Sequence, residues 1–101
     1  MTFEELLEKV KTAKNLRRVI QDSGSTYIRE SFASDEYIFG WVVKHPAKGF
    51  EENSRQIGAS VSPFDKPEEI QTVMLMPNEL FMFREALAMH ADFYEEDEVQ
   101  P

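Results

Sequence analysis

Two histidines, nineteen carboxylates and no cysteine are the raw material for chemistry in this chain of 101 residues. The missing thiols exclude disulfides, thiolate nucleophiles and cysteine-ligated zinc together. His45 precedes Pro46 at a strand end, and His90 falls within an apolar helical segment. Glu79 shares an angular position with His90 but stands eleven residues earlier, ~16 Å along a helix axis, so the two cannot pair there. A pH-responsive interface is the chemistry left to His90. His90 and Asp92 are two residues apart and point in different directions on a helix, and no H-E-x-x-H spacing occurs, so no metal site is expected. Four glycines build no phosphate-binding loop, dinucleotide turn or nucleophile elbow. Arg29-Glu30 and Asp35-Glu36 suit a solvated strand face as well as a cleft. The expectation is a non-enzymatic protein without catalytic residues or cofactor.

What the residues do offer is apolar surface. Pro77–Tyr94 (PNELFMFREALAMHADFY) reads as an amphipathic helix. At ~100° per residue, Leu80, Phe83, Leu87, Ala91 and Tyr94 form one stripe, and Met82, Ala86, Met89 and Phe93 form a second beside it. The combined arc spans roughly 200°, about twice that of an ordinary surface helix. Phe81 lies on the remaining side with Arg84, Glu85, Ala88 and Asp92. Apolar surface that cannot all face inward marks an interface, and methionine suits such a surface because it adapts its shape. The interface residues expected are Met82, Ala86, Met89, His90 and Phe93, unless the first helix covers that flank.

The net charge is -8. Residues 1–18 carry five cations against three carboxylates, so the excess of acid lies beyond them and culminates in the tail EEDEVQP. Such a field disfavours duplex DNA and anionic membranes and favours a basic partner. No run of 18 apolar residues is present, and MTFEELLEKV carries acids where a secretion signal carries positive charge. A soluble cytoplasmic protein is expected.

The elements that must position this surface follow from pattern. Thr2 and Glu5 match a capping box, so a first helix is predicted from Phe3 to about Gln21, ended by Gly24. Phe3, Leu6, Leu7 and Val10 share one face of it. Leu16, Val19 and Ile20 share another, so a bend near Lys14-Asn15 is required to bury both sets. Lys11, Lys14 and Arg18 would then form a basic stripe. Four strands are predicted at 26–32, 36–45, 55–61 and 70–76, with Ile57, Ala59 and Val61 inward in the third. The second is apolar on both faces, and Gly40 within it marks a bulge or a close backbone approach. Pro77 suits the first turn of the closing helix. The expected fold is α+β, a four-stranded antiparallel meander with a helix at each end, in the order α-β-β-β-β-α. Residues 1–95 are expected to form one domain and 96–101 an acidic, disordered tail.

Aromatic residues on the strands raise a second possibility. Tyr27, Arg29, Trp41 and Lys44 could stack bases and neutralise phosphate on the sheet. Tyr27-Ile28-Arg29-Glu30, with the later VMLMPNELFMFREAL, resembles the closing arrangement of PC4-like single-stranded-DNA-binding domains. That resemblance implies a dimeric four-stranded sheet plus helix that binds single-stranded nucleic acid. The chain departs from it in lacking a basic Lys-Gly element before the last strand, in longer middle loops and in its leading helix. The leading expectation is a protein-binding module, homodimeric through its last helix, with single-stranded nucleic-acid binding as the alternative.

Overall fold

The computed structural model describes residues 1–24, 26–44 and 56–91. Its elements are α1 (Phe3–Lys11), β1 (Arg17–Ser23), β2 (Tyr27–Ala33), β3 (Tyr37–Lys44), β4 (Gln56–Pro63), β5 (Gln71–Met74) and α2 (Pro77–His90), with a 3-10 turn at Pro67–Glu69 between β4 and β5. The strands form one antiparallel sheet in the order β1-β2-β3-β4-β5. The class is α+β, as the sequence predicts, but the sheet has five strands and not four.

The additional strand corrects the reading of residues 12–23. The capping box is present, with Glu5 N–H donating to Thr2 Oγ1 at 3.1 Å and Thr2 N–H donating to Glu5 Oε1 at 2.7 Å. The helix nevertheless stops at Lys11, and Thr12 turns its hydroxyl back onto the Glu8 carbonyl at 3.0 Å. Asn15 then takes a left-handed backbone, φ 57°, a region asparagine tolerates better than most residues. Its side-chain amide donates to Asp35 Oδ2 at 2.9 Å, pinning the reversal to the β2–β3 turn. The chain re-emerges as a strand because Val19 and Ile20 are β-branched and prefer a pleated surface. The predicted basic stripe therefore does not exist: Arg18 stands on β1, away from Lys11. Gly24 does not end a helix but sits in the β1–β2 turn, its N–H donating to the Tyr27 carbonyl at 2.9 Å.

Bonding to the Thr2 backbone N–H holds the Glu5 carboxyl below its ordinary value. That contribution is complete above the ordinary carboxylate pKa and is lost as pH falls through the lowered one. Thr2→Ala removes only the hydroxyl acceptor and should cost about 1 kcal/mol. The Thr2 N–H that Glu5 accepts from is backbone and survives that change. The Glu5 half is tested by Glu5→Ala, whose cost should be smaller in acid than near neutral pH when chemical unfolding is followed at both pH values. An equal cost at both would exclude a contribution from the Glu5 half of the box.

Both helices lie on one face of the sheet and bury it. Leu6 and Val10 of α1 and Phe83, Ala86 and Leu87 of α2 join Phe32, Phe39, Trp41, Ile57, Ala59 and Val61 in one core, with Leu16 and Leu75 at its margins. Ile57, Ala59 and Val61 point inward as their alternation predicts. Gly40 makes no bulge, since the β3 ladders run through it without a shift. It is a close approach instead: a Cβ there would stand 3.3 Å from Ser60 Oγ. The bulge in the sheet is in β1, between Arg18 and Ile20.

Candidate functional site

Helix α2 starts on Pro77, with Glu79 accepting from the Met76 N–H at 2.8 Å. That anchor sets the helix phase. Phe83, Ala86 and Leu87 turn into the core, Leu80 is half-buried, and Phe81, Met82, Glu85, Ala88 and Met89 turn outward. The flank is not covered by α1: Met82 is 47% exposed, Phe81 63% and Met89 79%. Met74 and Met76, just before the helix, are exposed as well.

Of the interface residues predicted from sequence, Met82 and Met89 are therefore on the surface together. Ala86 is buried beneath them, and His90 is half-buried at the margin. Phe93 and Tyr94 lie outside the described residues, as do His45, Asp92 and the acidic tail. Phe81 is the residue the angular reading put on the far side of the helix. It faces out within 120° of Met82 and Met89, and its size alone was the available signal.

The four residues of the nucleic-acid alternative are divided between the two faces of the sheet. Tyr27, Arg29 and Lys44 line a shallow cavity of about 560 Å³ on the face opposite the helices, with Thr26 and Val42. Trp41 points the other way and is 5% exposed. Its indole N–H donates to Glu30 Oε1 at 3.1 Å, while Arg18 bonds Glu30 Oε2 at 3.3 Å and the Arg84 guanidinium stacks over the indole at 4.9 Å. A carboxylate only 4% exposed is thus satisfied from two sides, as a buried charge requires. The sequence reading of Arg29-Glu30 as a solvated strand face or a cleft holds for exposed Arg29 but not for Glu30, which is buried. The period-two alternation Ile28, Glu30, Phe32 was the signal that Glu30 belongs to the inner face.

No protein-family model, curated protein or solved structure matches this chain. The functional reading therefore rests on these surfaces.

Chemistry within the described residues is sparse. They contain no group of three or more His, Asp or Glu side chains placed to hold a metal ion. No described helix is long and apolar enough to cross a membrane. A hollow of about 680 Å³ beside α1 gathers Glu5, Glu8 and Glu36 around Lys9. Lys9 Nζ there donates to the Tyr37 hydroxyl at 3.1 Å and lies 4.5 Å from the ring centroid, so its charge is already engaged.

Proposed function

We propose that this protein is a small cytoplasmic, non-enzymatic protein-binding module that docks its partners on the outer stripe of α2. The exposure of Phe81, Met82 and Met89 on one helix surface carries the reading. Exposed singly, such side chains are unremarkable; contiguous on one helix, they form the patch that partner binding buries. Thioethers and a phenyl ring supply adaptable dispersion contacts. Glu85 stands between them and favours a partner with a basic group at the centre of its contact. The absence of cysteine suits a reducing compartment.

A second copy of the chain is the first partner to test. Phe81 and Met89 are equally spaced about Glu85, so two α2 helices running antiparallel would set each Phe81 against the other's Met89. That pairing is apolar self-complementarity of the kind a two-fold contact needs. It also brings the two Glu85 carboxylates together at the axis, so the dimer should tighten as salt screens them. Light scattering coupled to size exclusion should show a dimer for the wild type. Met89→Asp should weaken it about tenfold or more, since it buries a charge in the contact. A wild type that stays monomeric at its highest working concentration overturns self-association. Retained capture of a helical partner by Met89→Asp overturns the α2 surface itself.

A further inference from the structure

The sheet face away from the helices is a second surface, and its charge is opposite to that of the chain. Its residues are fixed by the ladder register. Ile20, Ser31, Gly40, Ser60 and Thr72 form one cross-strand row, and Asp22, Arg29, Val42, Gly58 and Met74 form the next. Tyr27, Lys44 and Gln56 follow on one side, and Arg17, Ala33, Ile38 and Ser62 on the other. Among these residues Arg17, Arg29 and Lys44 oppose a single carboxylate, Asp22, although the whole chain carries -8. Asp22 bonds Arg29 at 3.3 Å and accepts from the Tyr27 hydroxyl at 3.2 Å, leaving the face a net cation excess.

The surface is also hollow. Arg29, Ser31, Gly40, Val42, Gly58 and Ser60, closed at one end by Ile70 and Thr72, line a trough of about 300 Å³ that continues into the Tyr27–Lys44 cavity. The trough crosses four strands, β2 to β5, about 14 Å at the ~4.8 Å strand spacing, and exposed Ile20, Ile70 and Met74 stand at its rims. Its floor offers small side chains over backbone that is already paired within the ladders. An extended chain laid on it would leave its own amides without partners, whereas a helix satisfies its backbone internally.

We infer that this face binds an acidic amphipathic helix of a partner protein. Its small apolar side chains settle over Gly40 and Gly58, and its carboxylates meet Arg29 and Lys44. A single-stranded nucleic acid is the weaker fit. Tyr27 is the one aromatic in these rows, and the floor supplies no further surface for base stacking.

The test is an NMR titration of the ¹⁵N-labelled full chain with a synthetic three-turn peptide carrying leucine and alanine on one side and glutamate on the other. Amide shifts are expected at Ser31, Gly40, Gly58, Ser60 and Thr72. Lys44→Glu should weaken binding about threefold to tenfold and flatten its salt dependence. Gly58→Val should reduce binding about tenfold or more by filling the trough. A Cβ at Gly58 finds Met74 Sδ at 3.8 Å, an ordinary contact, so the first added carbon meets no clash. Should Gly58→Val unfold, Lys44→Glu decides alone. Three results overturn the inference: equal binding of the peptide with lysine in place of glutamate, shifts confined to α2, or stronger binding of an oligothymidylate at the same amides.

Discussion

Glu30→Ala is expected to destabilise the domain by about 3 kcal/mol, because removing one member of a buried, hydrogen-bonded charge cluster strands the groups that it satisfied. The Trp41 indole N–H loses its acceptor inside the core, and Arg18 loses the carboxylate it bonds at 3.3 Å. At this chain length the loss corresponds to a fall of roughly 12–24 °C in the unfolding midpoint. Glu30→Gln retains an acceptor for the indole while giving up the charge, and should cost about 1 kcal/mol. Urea unfolding followed by fluorescence of the single tryptophan, Trp41, reports both changes. A Glu30→Ala loss below about 0.5 kcal/mol, the scale of an ordinary surface change, would mean that the cluster is solvated and contributes nothing.

The second large effect separates the two sides of α2. Phe83→Ala should cost about 3–5 kcal/mol, the range for truncating a fully enclosed phenyl ring. Phe83 has no exposed surface and ties the helix to the core shared with Leu6, Val10 and Phe39. Phe81→Ala, two residues away, should change folding stability by no more than about 0.5 kcal/mol. Its effect belongs instead to partner binding. Matched denaturation curves for the pair, with light scattering on each, divide the helix into a structural and a docking side. Similar stability losses for both would place Phe81 under cover and remove the docking reading.

How far these features could be read from the sequence depended on whether one periodicity governed each segment. β4 alternates without interruption, so Ile57, Ala59 and Val61 were legible as inward. In β1 the alternation is broken: Arg17 faces out, Arg18 in, Ile20 out and Gln21 in, because Val19 is an extra residue in the ladder. What survived in the sequence was Leu16, Val19 and Ile20 at i, i+3 and i+4, which imitates a helical face. The β-branched pair was the contrary signal, and the left-handed Asn15 turn that decides between them depends on Asp35, twenty residues away.

The surface of α2 was legible in part for a similar reason. Angles alone place Met82 and Met89 together. They do not say which portion of a 200° arc the sheet and α1 will claim. The answer lies in the packing: Phe83, Ala86 and Leu87 join the core shared by α1 and the sheet, and the methionine flank stays open. The sheet's basic outer face was harder to see, because Arg17, Arg29 and Lys44 are far apart in sequence and meet only through register.

The irregularity at Val19 also governs whether the sheet can grow. β1 forms one border of the sheet and β5 the other. A flat border strand of seven residues would template the next molecule's strand, rung by rung. The extra residue twists β1 and disrupts that template. The opposite border is only four residues long, Gln71–Met74, and offers little length to build on. Five strands are therefore a terminated series. Copies of this chain can meet through helices or faces, while end-on recruitment into a fibril is disfavoured at both borders.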